Sequence, residues 1–503
     1  MLTGMCQTNL SRRTLLRYSA LVAATFPAAA ATDGWGLAAQ AAESGLAVPM
    51  HAELVTVTDT SAVITWFTGD PLRRDGFGRP AAVQAPGRVL IGTSLLPSTW
   101  REAGSHGPTA YHHVEITGLQ PDTTYHWRAE SNGIVAVPSP VTPWAAPSTF
   151  TTLKRPAGRE LGRVAWLNDL HFGEQIAGLA VGIDGFPGGG LPPGIPVDPE
   201  HPYWRTMGAA AVAESRARGC NLLLANGDLS NEAEAEALAE TRTALDGFGS
   251  LGGVTRLGKG DAPRYFVTRG NHDRARTGAV EGELVDRFGG EFDAGFEPGT
   301  QHFSVGYGTG SQTYRFVGLD SNDGETTGVL RTSELEFLEA ELGRGDLTIP
   351  LFHHPASQQD NKVDADGARR FRTLLAGYDN AVGVYAGHTH RNHLSTSSET
   401  ATLPYFEGGA VKEYPGGYTV VRLFEGGFTV NFYKSSHPDA LAWSEASRAE
   451  WFGLAPAYML GGLGDRNWAH HLDTRRTQTA GVLRDSGDAL TAEIGEGVLD
   501  AIC

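Results

Sequence analysis

The chain has 503 residues, too long for one ordinary domain, so two or three domains with full hydrophobic cores are expected. Its formal net charge is -17, its pI is about 5.4 and no strongly basic block is present, which argues against non-specific nucleic-acid binding. The same charge says little about a small anionic substrate, because a metal centre overrules the overall field locally. Gly accounts for 65 residues, and much of that excess falls between patterned runs, so long irregular insertions are expected.

In chain order, Ser11-Arg12-Arg13-Thr14-Leu15-Leu16-Arg17 precedes a weakly apolar, Ala-rich run over residues 18–31. Paired arginines before a modest apolar run resemble a twin-arginine export signal over residues 1–40, cleaved after Ala31 or near Ala39. A protein that is secreted, periplasmic or at the cell surface follows, folded before translocation. The run is too short and too rich in Ala for a membrane span. Of the three cysteines, Cys6 lies in this segment, Cys503 is terminal, and Cys220 opens an apolar run and reads as core, so neither a disulfide framework nor a Cys-based metal site is supported.

Residues 48–153 carry short alternating runs (HAELVTVTD, AVITWFT, RVLIGTS, TAYHHVEITGL, TYHWRAES, PSTFTTL) separated by Pro, Gly and Asp, which predicts a small all-β domain with Trp66 in its core. Leu119, Pro121, Thr123 and Tyr125 resemble the Leu-x-Pro-x-Thr-x-Tyr start of a late strand in a fibronectin type III sandwich, where the Tyr makes a corner. His51, His112, His113 and His126 are scattered and read as surface or sheet residues. Residues 153–161 read as a polar linker.

From Gly162 the pattern becomes mixed. Strands are expected at VAWLN, NLLLAN, YFVT, LTIPLF and AVGVYA, with helices over 204–219, 231–246, 280–288, 332–342 and 366–376. Ser230 is a candidate N-cap for the second helix. HFSVGYG and TYRFVGLD read as further strands. Residues 174–203 are dense in Gly and Pro and form an insertion beginning three residues after His171, placed to make one wall of a site. ATLPYFEGGA, GGYTVVRLF and GFTVNFYK alternate like one antiparallel sheet. Residues 436–503 read as a partly helical extension packed on a catalytic domain over 162–435.

Five polar motifs follow the strand-like runs: Asp169-Leu170-His171, Gly227-Asp228 with Asn231, Gly270-Asn271-His272-Asp273, His353-His354-Pro355 and Gly387-His388-Thr389-His390. Loops at the carboxyl ends of strands are where open α/β sheets place ligands. If the backbone stays extended, Asp169 and His171, two apart, point to the same side. With Asp228, Asn271, His353, His388 and His390 they make seven oxygen and nitrogen donors and no sulfur, a set that suits Zn, Mn, Fe or Co better than Ca.

In this order the motifs resemble the calcineurin-like metallophosphoesterase family: Asp-x-His, Gly-Asp with a nearby Asn, Gly-Asn-His-Asp, a later His, and Gly-His-x-His. The resemblance covers roughly residues 162–435. It implies a four-layer α/β/β/α domain behind the sandwich and two divalent ions (Zn, Mn or Fe). Asp169, His171 and His390 would hold one ion, and Asn271, His353 and His388 the other, with Asp228 bridging. His272 would serve the leaving group, with Asp273 orienting it. Asn231 is a candidate support for the site. The His-x-Pro spacing favours His353 over His354 as ligand, leaving His354 to face substrate, and Arg274 and Arg391 could reach substrate. A β domain ahead of such a domain is similar to the purple acid phosphatase arrangement. That group, however, has Tyr where Asn231 stands and Gly where His171 stands, so no purple chromophore is expected.

The implied activity is hydrolysis of a small phosphoester by in-line attack of metal-activated hydroxide, phosphodiesters slightly preferred. Monoester hydrolysis and a non-catalytic metal-binding surface module are the alternatives. No specific nucleic-acid partner and no transmembrane segment are expected, and the oligomeric state is open.

Overall fold

The computed structural model describes residues 47–479 apart from 76–78, 179–193, 257–258, 264, 274–286, 293–301, 310–311, 324–325, 401–402 and 475. The export-signal segment, Arg274 and most of the expected helix over 280–288 lie outside the described residues.

Two sheets build the N-terminal sandwich. One joins Val48–Val57, Ser61–Arg74, Pro80–Ala82 and Tyr111–Thr117; the other joins Arg101–Thr109, Ala85–Gly92, Thr124–Ser131, Ile134–Val135 and Thr149–Thr151. Alternation sends Leu54, Ile64, Trp66, Ile91, Trp127 and Phe150 into the space between them. The Tyr125 hydroxyl accepts the Gln120 N–H at 2.9 Å, closing the expected corner. Strand Arg101–Thr109 was not legible in sequence. Its REAGSHGPT has no alternation and its face is largely exposed, so only pairing with Ala85–Gly92 makes it an edge strand.

The second domain is two face-to-face sheets between helices. A seven-stranded sheet runs Tyr265–Thr268, Leu222–Asn226, Glu160–Leu167, Gly417–Phe424, Gly427–Lys434, Asn467–His471, Arg476–Thr479. A six-stranded sheet runs Phe303–Thr309, Gln312–Gly318, Leu347–Leu351, Val384–Ala386, Tyr405–Glu407, His393–Ser395. Val164, Trp166, Leu224 and Phe266 meet Phe316, Ile349, Tyr385 and Phe406 between the sheets. On the outer faces, Leu167, Leu223 and Val267 pack under helices Tyr203–Ala217, Ala235–Asp246 and Arg287–Phe292. Val317, Phe352 and Val384 pack under helices Thr332–Leu342 and Ala365–Ala376. Burial on both faces explains why these strands are near-continuous apolar runs.

Parallel registers such as Val164↔Leu222, Leu223↔Tyr265 and Leu351↔Tyr385 bring the carboxyl ends of six strands to one edge, and all five motifs sit in the loops that follow.

Two sequence expectations are corrected. The helix expected from residue 231 begins at Ala235 without a side-chain cap; Ser230 Oγ instead accepts from Ala233 N–H and donates to Asp273. Tyr405–Glu407 belongs to the six-stranded sheet, so only Gly417–Phe424 and Gly427–Lys434 of the three expected partners pair with each other. The stretch after residue 435 is partly helical, from Pro438–Ser447 to Leu463–Arg466, and then adds two strands not read from sequence: Asn467–His471 pairs antiparallel with Gly427–Lys434, and Arg476–Thr479 extends the sheet further.

The sandwich is clamped to the second domain by buried polar groups. Glu53 accepts from Lys434 at 2.9 Å and Tyr414 at 2.6 Å, and pairs with Arg448. Asn467 bridges to Val55 and Val57, and Asn431 donates to the Val57 carbonyl. Among the described residues no helix is long and apolar enough to cross a membrane.

Candidate metal centre

Asp169, His171, Asp228, His388 and His390 all have positive φ, between 46° and 72°. The extended backbone expected through Asp169-Leu170-His171 is therefore replaced by a left-handed turn at both ends. Each such residue costs about 1–3 kcal/mol, so the loops are held in place by their surroundings rather than by local preference. Two glycines permit the approach. A Cβ on Gly227 would stand 2.4 Å from His353 Nδ1, and one on Gly270 would stand 2.2 Å from Asp228 Oδ1.

Donor atoms of Asp169, His171, Asp228 and His390 lie within 4.8 Å of one another, as do those of Asp228, His353 and His388. Asp228 belongs to both groups. Its Oδ2 is 3.0 Å from His353 Nε2 and 3.6 Å from His171 Nε2, and its Oδ1 accepts the His272 N–H at 2.9 Å. His390 Nε2 is 3.5 Å from Asp169 Oδ1, which also accepts the His388 N–H at 3.1 Å. Asn271 joins the second group, its Oδ1 3.1 Å from His388 Nδ1. Two donors each about 2.0–2.2 Å from one ion stand roughly 3 Å apart, so this spacing suits a shared cation.

Buried Asp169 Oδ2 and His171 Nε2 have no hydrogen-bond partner. Orphaned polar atoms of this kind are costly unless something else satisfies them, and a transition metal at an oxygen- and nitrogen-lined site does. The other ring nitrogens fix the orientation. His353 Nδ1 donates to the Asn226 carbonyl at 3.0 Å, leaving Nε2 to face Asp228. His171 Nδ1 meets Asn231 Oδ1 at 3.2 Å, and His390 Nδ1 meets Glu413 at 2.5 Å.

Charge in the pocket is unevenly held. Burial lifts the Asp169 carboxyl to about 6, against the pull of His390. Burial works against charge on His353, but the Asp228 carboxylate outweighs it and raises the imidazole to about 9. Burial pushes His171 and His388 well below the usual range, leaving them neutral and ready to bind a cation.

His353 faces the donor cluster, as its spacing before Pro355 suggests. His354 is fully buried beside the His388 ring, with Nδ1 2.9 Å from Ser321 Oγ, and does not line an open surface. Asp273 does not orient His272, contrary to expectation. Its carboxylate takes Leu229 N–H, Ser230 N–H, Ser230 Oγ–H and Gly270 N–H, clasping two motif loops together. The residue that orients His272 is Asn231, whose carbonyl accepts from Nδ1 at 2.6 Å. Asn231 thus holds His272 with its backbone and His171 with its side chain. Arg391 is tied to Asp360 and to Glu407 and stacks on Tyr458.

The sequence reading missed Glu413, Lys412 and Glu174. Lys412 Nζ is 2.6 Å from Glu174 and 3.3 Å from Glu413, and both carboxylates are buried. The available signal was a charged pair, Lys412-Glu413, standing in the otherwise apolar and Gly-rich stretch between two strands.

One carboxylate shared between two oxygen- and nitrogen-donor groups suits a two-metal hydrolytic centre, and fold and site are those of a metal-dependent phosphoester hydrolase. Residues 162–392 match the calcineurin-like phosphoesterase family and residues 48–152 match the purple acid phosphatase N-terminal domain. Among solved structures it is similar to PhoD, with 11% identity over 90% of this chain and 97% of that one at a TM-score of 0.37. It is also similar to the purple acid phosphatase PPD1 from yellow lupin (Lupinus luteus), with 14% identity over 78% of this chain and 72% of that one at a TM-score of 0.37. A dimetal phosphatase from Danio rerio shares 13% identity over 55% of this chain and 96% of its own, again at 0.37. These likenesses are too low to bear on the site. No curated protein matches the chain.

Proposed function

We infer that the chain is an exported phosphoesterase that prefers phosphodiesters to monoesters. Asp169, His171 and His390 would hold one divalent ion and Asn271, His353 and His388 a second, with Asp228 contributing to both donor groups. The observation that carries this reading is the position of Asp228 Oδ2, 3.0 Å from His353 Nε2 and 3.6 Å from His171 Nε2. When bound, two such ions (Zn, Mn or Fe) supply Lewis acidity that acidifies water and offsets charge on phosphoryl oxygens.

The protein's own groups do the rest. His272 gives its Nδ1–H to the Asn231 carbonyl, which leaves Nε2 to hold a proton against the leaving oxygen or to stabilise its charge. Asp273 keeps the loop of His272 against the loop of Asp228 through three hydrogen bonds, from Leu229 N–H, Ser230 N–H and Ser230 Oγ–H. Preference for a diester rests on charge. A monoester dianion calls for an added cation; of the two arginines the sequence pointed to, Arg391 is already engaged by Asp360 and Glu407, and Arg274 lies outside the described residues.

Turnover of bis-p-nitrophenyl phosphate and p-nitrophenyl phosphate, compared before metal stripping, after it and after restoration, tests the reading. The expected result is metal-dependent cleavage of both, several-fold faster on the diester. Equal or faster monoester cleavage sinks the preference. A metal-replete protein that turns over nothing in a broad phosphoester panel is a binding module instead. Export is supported by Ser11-Arg12-Arg13 and the Ala-rich run after it. It requires that the mature protein, isolated outside the cytoplasm, lack that segment.

A further inference from the structure

The four metal-facing histidines are not backed alike. His353 is backed by the Asn226 carbonyl and His171 by the Asn231 amide oxygen, both neutral, while His388 turns its Nδ1 to Asn271. Only His390, among these, has a carboxylate behind it: Glu413 Oε1 lies 2.5 Å from its Nδ1. The other Glu413 oxygen lies 3.3 Å from Lys412 Nζ, and Lys412 reaches Glu174 Oε1 at 2.6 Å. Glu174 is bonded in turn by the Tyr203 hydroxyl, and its carbonyl accepts from Trp204 Nε1 at 3.1 Å. Trp443 Nε1 holds the Lys412 carbonyl at 2.7 Å. Glu174 and Tyr203 stand at the two ends of the Gly- and Pro-rich insertion, whose stem is closed by pairing of Ile176–Ala177 with Ile195–Pro196.

We propose that Glu413 is a positioning residue for His390, and that Lys412 and Glu174 hold it in place by anchoring it to the base of the insertion. The geometry has a chemical consequence. A carboxylate accepts only, so it fixes the His390 proton on Nδ1 and presents Nε2, 3.5 Å from Asp169 Oδ1, as the lone-pair nitrogen. A carboxylate behind a ligating imidazole also raises its basicity, and removing such a partner weakens metal binding about 10- to 100-fold. The effect falls on one ion of the pair, because Glu413 touches no other member of the donor set among the described residues. The proposal rests on the two-ion reading above.

The experiment is competitive-chelator titration of the metal-free full chain with Mn(II), comparing wild type with Glu413→Gln. Gln preserves the shape and leaves the Lys412–Glu174 pair intact. The expected result is two ions in both proteins, one bound about 10- to 100-fold more weakly in the variant and the other unchanged. Unchanged affinity for both ions, or equal weakening of both, overturns the proposal. A wild type that binds no ion sinks the metal-centre reading itself, a different outcome. Should the variant not fold, wild type decides by nuclear magnetic resonance of 15N-histidine, with His390 identified by the signal lost in His390→Gln. A strongly hydrogen-bonded Nδ1–H retained on metal loading is expected, and an unprotonated Nδ1 refutes the proposal.

Discussion

Metal loading is expected to depend steeply on pH, and the structure sets the size of the effect. In the metal-free protein the Asp228 carboxylate, 3.0 Å from His353 Nε2, raises that imidazole to about 9 despite its burial. A cation binds only the neutral ring, so below that value a proton competes for the same nitrogen. At pH 7 the ring is two units below its pKa, and the apparent affinity at this position lies about 100-fold, or about 2.7 kcal/mol, under its plateau. The sign follows directly: affinity rises about tenfold per unit from pH 7, then flattens as pH passes about 9. Asp169, held near 6, adds a second competing proton only in more acidic solution. Mn(II) titrations at pH 6, 7, 8 and 9 measure this, with calorimetry in buffers of different ionisation enthalpy to count the proton released. In Asp228→Asn the charge that raises His353 is gone, so the pH dependence moves toward neutrality while the plateau affinity falls. Wild-type affinity that stays flat between pH 7 and 9 would refute the reasoning.

Other perturbations separate the parts of the molecule. Gly270→Ala forces a methyl within 2.2 Å of Asp228 Oδ1 and 2.3 Å of its backbone nitrogen, so both ions are expected to be lost, as measured by metal content after gel filtration. His272→Ala keeps both ions and lowers kcat about 100-fold or more with KM little changed; full turnover with every phosphoester tested refutes its role. Glu53→Ala strands Lys434 and Arg448 at the domain junction and is expected to cost about 3–5 kcal/mol in denaturant unfolding, with the metal content of the folded protein unchanged. Burial alone would raise the Glu53 carboxyl, but Lys434 and Arg448 outweigh it and hold it well below the usual range. Its contribution is therefore present above about pH 4 and lost on acidification, a slope that Glu53→Gln should remove.

The catalytic sheets, the sandwich and the donor residues could be read from sequence for a physical reason. Metal chemistry restricts a ligand to few residue types, and a strand buried on both faces is an apolar run that ends abruptly at the loop carrying them. Asp169, His171, Asp228, Asn271, His353, His388 and His390 are legible on those grounds, and the structure brings them to one edge of the sheets. What the sequence could not decide is who stands behind each of them. The family resemblance implied Asp273 as the orienting partner of His272, yet its carboxylate turns to the backbone of the Asp228 loop, and Asn231 takes the ring. Glu413 meets a histidine 23 residues away, and Glu53 meets a lysine 381 residues away. Asn467–His471 becomes a sheet strand because Gly427–Lys434 offers it an unpaired edge. Contacts of that range are set by how whole layers pack, and no local pattern of charge or hydropathy encodes them.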